Sequence, residues 1–483
     1  MKLTGVLGAL GSAMGARLGM AALNYGLFWE LSHRLAADAL GGFSLLMNIS
    51  LLLQALPLLG LSVALIRRSA TEPERLATEV SNAFAFALPV ASLMGLGVFA
   101  LGRADYPAAL HVPFAWVALA MLPTAWVVVA ECALIGQERV VDIARVQFVE
   151  ALLRTVFCLL AVELGYGLGG VFVVFFAVRV CAAAVYALHR RLPLPSAALC
   201  SLALLRRNLR EVPVFFGISL AVALGARLDL IVLSQLRALD EVGIYAAASR
   251  LYDAAQMIPT LTAMVMLPTL ARLFKHEPAR FRELLALALR LALGIGLALA
   301  LAVAAFAQPV IDLLYKPEMA AAAPVLRWLI FGAVLMTLDQ LLSSTMIAAQ
   351  AQAQDLRSLG YALAVLAFGL LTLVPRFGPV GAAASVTLAL AFRVAWRLRW
   401  ARNALPLHGI GGDMARLLAA AAVGVAGLGF GLEVGSAQTA PAAALLAATV
   451  ALLGYGLAAR LLGVFGAHPW RQLRSGLARL TGT

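Results

Sequence analysis

The stretch "ALGARLDLIVLSQLRALDEVGIYAAASRLYDAAQMIPTLTAMVMLP" occupies residues 223–268. Two long apolar blocks flank a short polar turn near residue 240, and each is oily enough to lie in a bilayer. Yet the blocks carry Arg227, Asp229, Arg250 and Asp253. A charge at the centre of a membrane costs about 2.5–3.5 kcal/mol on insertion scales, so such residues face a bundle interior or a watery cavity. The stretch therefore reads as paired transmembrane helices with a protein interior to face.

The composition of the whole chain agrees. Of its 483 residues, 63% are hydrophobic and 13% charged, and mean hydropathy is +0.94. A soluble domain is about 45–50% apolar and about 25% charged. The apolar blocks are each long enough to cross about 30 Å of hydrocarbon as helices. A lipid-facing barrel would instead alternate apolar and polar residues over about ten positions. The pattern predicts an all-α polytopic membrane protein of about fourteen helices, near 4–28, 41–66, 80–101, 112–136, 142–163, 167–188, 212–235, 242–270, 284–307, 323–349, 356–374, 379–401, 413–432 and 441–462. Gly and Pro clusters, "GYGLGG" and "PRFGPVG", separate the fifth helix from the sixth and the eleventh from the twelfth as tight hairpins. The N-terminal run continues past Arg17 to Phe28, which fits a first transmembrane helix better than a signal peptide.

Charge orients the chain. With fourteen spans, 25 of the 37 Lys and Arg fall at one side, including Arg67, Arg139, Arg190, Arg206, Arg272, Arg393 and Arg397. Five fall at the other: Arg34, Arg103, Arg237, Lys316 and Arg376. By the positive-inside rule both termini are cytoplasmic. This asymmetry, with some attraction to anionic membrane lipids, accounts for the net charge of +13 without a nucleic-acid partner. The sequence shows no nucleotide loop, metal-ligand cluster or catalytic triad spacing, so neither metal nor organic cofactor is expected. Cys132, Cys158 and Cys181 sit within spans as small packing residues, and Cys200 lies outside them.

The chain also repeats itself. A shift of 202 carries Gly41 onto Gly243, Phe43 onto Tyr245 and Pro57 onto Pro259. A shift of 213 carries Gln137 onto Gln350 and Asp142 onto Asp355, and Gly169 answers Gly381. Helices 1–6 thus match helices 7–12, with both halves entering from the same side. The expected organisation is an N-terminal six-helix lobe, 1–188, and a basic cytoplasmic linker, 189–210. A second six-helix lobe, 211–402, precedes helices 13–14 with a basic tail, 403–483. Two similar bundles suggest a cavity between them that opens to either side by rocking.

Seven arginines remain within spans: Arg17, Arg154, Arg179, Arg227, Arg250, Arg290 and Arg327. Arg290 and Arg327 lie near span ends and are expected to snorkel, and Arg179 is close enough to do the same. Arg250 with Asp253, and Glu150 with Arg154, share helix faces and can neutralise themselves. Arg227 and Asp229 are two residues apart and point away from each other, so at least one needs a partner elsewhere. Arg17 has no acidic neighbour on its own face; it wants an anion or a carboxylate from another helix, such as Asp229 or Asp339. Asn48 occupies the position of Arg250 in the repeat. Guanidinium matches phosphate oxygens with paired hydrogen bonds, so the candidate substrate-binding set is Arg17, Arg250, Arg154 and Asn48. Asp229, Asp253 and Asp339 are candidates for proton or sodium coupling, against the reading that they only neutralise nearby arginine.

The segments "GLSVALIRRSA", "GQERVVDIARVQFVEALLRTV", "RLDLIVLSQLRALDEVGIYAAASRLYDAAQMIP", "VIDLLYKPEMAAAAPVLRWL" and "FGPVGAAASV" carry a resemblance. In this order, over about residues 1–400, they resemble the polysaccharide transporter family of bacterial lipid-linked oligosaccharide flippases. That family lies within the multidrug/oligosaccharidyl-lipid/polysaccharide flippase superfamily. The resemblance implies a MATE-like, V-shaped pair of six-helix bundles plus two C-terminal helices. It implies translocation of an undecaprenyl-diphosphate-linked glycan to the periplasmic leaflet. Arg250 matches the family's helix 8 motif, Arg154 its helix 5 pattern of Glu then Arg, and Arg17 a helix 1 position where related flippases also carry Arg. No ion-coupling site carries over.

The leading expectation is a flippase for polysaccharide, O-antigen or exopolysaccharide export, working beside a polymerase and export proteins. A lipid II flippase or a cation-coupled multidrug exporter of the same fold stays open, as does a membrane scaffold for a synthase. An enzyme ranks low, because the largest outer loop, 308–322, offers only Asp312 and Glu318 as acids.

Overall fold

A computed structural model describes residues 3–54, 56–58, 61–405, 410–434 and 440–462. Among these the chain forms sixteen α-helices, three short 3-10 turns and no strand. Two compact units divide it, Met1–Gly243 and Ile244–Thr483.

The first unit contains α1 (Leu3–Arg34), α2 (Ala37–Gln54), α3 (Ser62–Thr71), α4 (Leu76–Asp105), α5 (Ala108–Gly136), α6 (Val140–Glu163), α7 (Gly167–Ala187) and α8 (Leu202–Leu236), with the first turn of α9 (Leu239–Ala255). The second continues through α9 and holds α10 (Met257–His276), α11 (Pro278–Ala305), α12 (Ala307–Leu314), α13 (Ala322–Ala348), α14 (Gln352–Ala404), α15 (Ile410–Val434) and α16 (Ala440–Leu461). Among the described residues nine helices are long and apolar enough to cross a membrane.

Two expected spans are broken. The run 41–66 ends as α2 at Gln54 and resumes as α3 at Ser62, with Pro57 in the turn between them. The run 242–270 stops at Ala255 and restarts as α10, whose third residue is Pro259. A proline has no N–H to donate and its ring collides with the carbonyl four residues back, so both runs break where the matched prolines stand. The repeat is thus written into the helix boundaries: α9 starts 202 residues after α2.

The second half of the repeat needs a correction. α5 ends at Gly136 and α6 begins at Val140, with Glu138 at φ 60° between them. α13 ends at Ala348 and α14 begins at Gln352, with Gln350 at φ 56°. The two turns correspond by a shift of 212, the shift that relates Gly169 to Gly381, and not by the 213 that aligned Gln137 with Gln350 and Asp142 with Asp355. The left-handed residue fixes the register of the turn; the matching glutamines are incidental.

The eleventh and twelfth spans form one continuous element, α14, reversed at a single residue, Gly378, at φ 54° and ψ −131°. Only glycine adopts that conformation freely. The two arms fold back on each other: Tyr361 stacks on Trp396 at 4.8 Å between centroids, and a Cβ on Gly381 would strike the Leu373 carbonyl. The fifth and sixth spans, α6 and α7, turn tightly through Gly165 and Gly167 at φ 81° and 56°.

Packing follows membrane rules. Leu285, Leu289, Leu293, Leu297 and Leu301 form a buried stripe on α11 at a spacing of four. They join Leu338, Leu341 and Leu342 of α13 in the core of the second unit. The opposite face of α11 leaves Ile295 and Leu299 more than half exposed, which suits lipid rather than water. Buried hydroxyls and amides on these helices close onto their own carbonyls four residues back, as Ser44, Asn48, Ser50 and Thr155 do. The expected outer loop 308–322 is largely helical, through α12 and a 3-10 turn at Pro317–Met319, and Asp312 accepts from Gln308 at 2.8 Å.

Candidate functional site

Within the first unit, α6 places Gln147, Glu150 and Arg154 on one face, at a spacing of three and four. α7, folded back through Gly165 and Gly167, places Phe175, Arg179 and Tyr186 opposite. α1 supplies Asn24, α2 supplies Gln54 and α5 supplies Glu131.

The expected local pair of Glu150 with Arg154 is not formed. Glu150 Oε2 pairs with Arg179 Nη1 across the hairpin at 3.3 Å, with both side chains about nine-tenths buried. Arg179 also donates to Gln54 Oε1. The hairpin brings Arg179 directly against Glu150, so the neighbouring helix wins over the residue one turn away. This also corrects the expectation that Arg179 reaches the membrane surface.

Arg154 is turned toward α1 instead. Its Nη2 donates to Asn24 Oδ1 at 2.8 Å, and its guanidinium lies over the Phe175 ring, 5.1 Å from the centroid. Among the described residues its Nε has no hydrogen-bond partner. Among the described residues no carboxylate comes within ion-pair distance of it. An aromatic face and an amide, rather than a direct ion pair, hold the cation in place.

Glu131 completes the cluster and was not foreseen. It accepts from Gln147 Nε2 at 2.9 Å and from the Tyr186 hydroxyl at 3.2 Å. The signal was a single acid inside the apolar run "WVVVAECALIG" of α5.

Asn48 is buried on α2, where its Nδ2 donates to the Ser44 carbonyl at 2.8 Å and its Oδ1 accepts from Arg227 Nη1 at 2.9 Å. Arg227 thus finds its partner on a neighbouring helix. Asn48 positions a second cation rather than standing alone. Asp229 is half-buried on α8. Arg17 belongs to α1, but its side chain lies outside the described residues.

In the second unit, Arg250 and Asp253 are half-buried in the last turns of α9, just before the break at Gln256. Asp253 Oδ1 accepts from Gln256 Nε2 at 3.4 Å. α9 begins at Leu239 rather than near 242, which puts Arg250 roughly 16 Å along the helix at 1.5 Å per residue, not the 12 Å that the later start implied.

Asp339 is enclosed. Its Oδ1 takes Arg397 Nη1 at 2.7 Å and its Oδ2 faces Arg393 Nη1 at 3.3 Å. Arg397 also reaches Ser358 Oγ at 3.1 Å through Nε and Asp355 Oδ1 at 2.5 Å through Nη2. Two acids and two arginines balance in this knot. Arg393 and Arg397 were grouped with the surface charges; the structure corrects this, since Arg397 is 0% exposed and ties the second arm of α14 to α13. Arg290 likewise pairs with Asp413 at 2.6 Å instead of snorkelling, and Arg327 donates to the Ala304 carbonyl at 3.2 Å. Among the described residues no group of His, Cys, Asp or Glu could hold a metal ion.

Long apolar helices, two of the expected spans broken at proline, and arginines retained among them define a multi-pass helical membrane protein. The known folds agree. A lipid II flippase, MurJ, in an inward closed conformation superposes with a TM-score of 0.69 at 11% identity, covering 93% of this chain and 98% of that one. An inward-facing multidrug resistance MATE family transporter of the MOP superfamily gives 0.61 at 15% identity, covering 81% and 96%. A MOP superfamily transporter from Pyrococcus furiosus, described as having a binding pocket of reverse polarity, gives 0.53 at 15% identity, covering 82% and 93%. No curated protein matches the sequence. The sequence profile of the family described as "Polysaccharide biosynthesis protein" matches residues 14–274, and the chain belongs to that family.

Proposed function

We propose that the chain is a flippase for an undecaprenyl-diphosphate-linked oligosaccharide. It moves the lipid-linked glycan from the cytoplasmic to the periplasmic leaflet of a bacterial inner membrane by alternating access, in polysaccharide, O-antigen or exopolysaccharide export. The observation that carries the reading is Arg154: a cation held among helices by an amide and an aromatic ring, with no carboxylate among the described residues in direct contact with it. A diphosphate is the anion such a group suits, and membership of a polysaccharide biosynthesis family supports a glycan on it. Arg17 and, separately, Arg250 are further residues that would meet phosphate, and Asn48 contributes by holding Arg227. Proton or sodium coupling runs through Asp229, Asp253 or Asp339. The protein moves its substrate without covalent chemistry and needs no cofactor. Both termini are cytoplasmic.

Deletion of the gene, followed by mass spectrometry of membrane lipids, tests the reading. Accumulation of an undecaprenyl-diphosphate glycan, cleared by the intact gene, is the expected result. Accumulation of the peptidoglycan precursor would make it a lipid II flippase. Unchanged lipids with increased sensitivity to cationic drugs would make it an exporter.

A further inference from the structure

The surface of the α6–α7 hairpin carries a groove that the transport reading does not use. It is a cavity of about 190 Å³ lined by Val149, Leu153, Val178, Cys181 and Val185, with Arg145 at its mouth and Glu150 in its wall. Val149 and Val185 are each 50% exposed, so the groove opens outward rather than into the helix packing. From Arg145 to Leu153 it follows α6 for roughly 12 Å at 1.5 Å per residue.

Its mouth is electrostatically unbalanced. One carboxylate, Asp142, meets Arg139 at 2.6 Å, His189 at 3.5 Å and Arg145 at 3.8 Å. Arg139 takes the close contact, and the Arg145 side chain remains 76% exposed. Arg190 and Arg191 follow in the adjoining turn, both exposed. Deeper in the groove, the charge of Glu150 is answered by Arg179, so the wall does not repel an anion. A cationic rim over an apolar slot, on a hairpin whose α7 is long and apolar enough to cross a bilayer, is complementary to one kind of occupant.

We propose that the α6–α7 groove seats an anionic phospholipid, with its phosphate at Arg145 and one acyl chain along Val149, Leu153 and Val185. A guanidinium at the membrane surface forks onto phosphate oxygens, and the excess positive charge favours a lipid of net negative charge over a zwitterion. The seat lies in the leaflet on the side of the 189–191 turn. It is independent of which substrate the protein carries.

The test uses the full chain in phosphatidylcholine vesicles. These carry a trace of either phosphatidylglycerol or phosphatidylcholine with a diazirine in its acyl chain. After illumination, labelled peptides are mapped by mass spectrometry. Labelling of 145–153 and 178–185 should be about fivefold greater with the anionic probe, as one basic residue near the surface suggests. Arg145→Ala should erase that preference and Arg145→Lys should keep most of it. Because Arg145 is exposed, both variants should fold, which thermal unfolding checks. Equal labelling by the two probes, or a preference undiminished in Arg145→Ala, would overturn the proposal. So would displacement by millimolar inorganic phosphate, which would mark a site for a soluble anion.

Discussion

Arg154 Nη2 donates to Asn24 Oδ1 at 2.8 Å, an amide standing where a carboxylate would ordinarily stand. An Asp at 24 would cancel the charge; Asn orients the guanidinium and leaves its charge available. We therefore expect Arg154→Ala to abolish transport and Arg154→Lys to retain a minor part, since an ammonium lacks the planar fork. Asn24→Asp should impair transport while leaving the protein folded, because it introduces a competing anion. Transport in reconstituted vesicles, normalised to folded protein, separates these outcomes. Wild-type transport by Arg154→Ala would remove this residue from substrate binding.

The knot of Asp339, Arg397, Arg393 and Asp355 makes a different prediction. Removing one partner of a buried pair costs about 3–5 kcal/mol, because the other charge is left uncompensated. Asp339→Asn or Arg397→Met should sharply lower the thermal unfolding temperature in detergent. The double variant Asp339→Leu with Arg397→Met should recover part of the loss, since it removes both fully buried charges together, while the more exposed Arg393 and Asp355 each lose one partner. A transport defect in Asp339→Asn at unchanged stability would instead point to ion coupling at Asp339.

These two clusters show what the sequence could and could not disclose. Span positions were legible because hydropathy acts over about 20 residues, whereas the breaks at Pro57 and Pro259 were missed: mean hydropathy runs unbroken through a proline that a helix cannot ignore. Partner choice was not legible. Glu150 and Arg154 have ideal spacing for a local pair, yet a hairpin partner displaces that pair. Arg393 and Arg397 sit in "FRVAWRLRW", a pattern that reads equally as a snorkelling rim or an interior tie. Only the packing of α14 on α13 decides between them, by delivering Asp339 to Arg397. Glu131 carried too weak a signal, one acid with both partners distant in sequence.

Gly41 and Gly243, matched by the repeat, are also close in space. A Cβ on Gly41 would collide with the Leu239 carbonyl, and one on Gly243 would lie 2.5 Å from the Ala37 carbonyl. Backbone cannot yield as a side chain can. Gly41→Ala should destabilise by about 1–3 kcal/mol, the usual range for overpacking. Gly26→Ala, where a Cβ meets nothing within 4 Å, serves as the control and should be neutral or better. Thermal unfolding of the two variants side by side checks this; equal behaviour would show that α2 and the start of α9 can part at little cost.

Orientation rests on charge asymmetry, and cysteine labelling tests it. In a background without native cysteines, Lys316→Cys should react with an impermeant thiol reagent added to intact cells. Arg206→Cys should react only after the membrane is opened. The opposite pattern would invert the topology and, with it, the direction of transport.

Arg250 lies in the closing turns of α9, where the helix stops before Pro259. The proposed phosphate role makes a direct prediction there. Arg250→Ala should abolish export and Arg250→Lys should retain part, by the same fork argument as at Arg154. Asp253 lies one turn on, and under the proposed role Asp253→Asn should do less harm than loss of the guanidinium, because it leaves Arg250 in place. Two readouts distinguish binding from folding: the amount of protein in the membrane, and the accumulation of lipid-linked glycan at the cytoplasmic face. A binding role predicts normal protein level with accumulated glycan in Arg250→Ala. Full export by well-expressed Arg250→Ala and Arg17→Ala variants would leave these arginines as structural charges and move the search for the diphosphate site to Arg154 and Arg227.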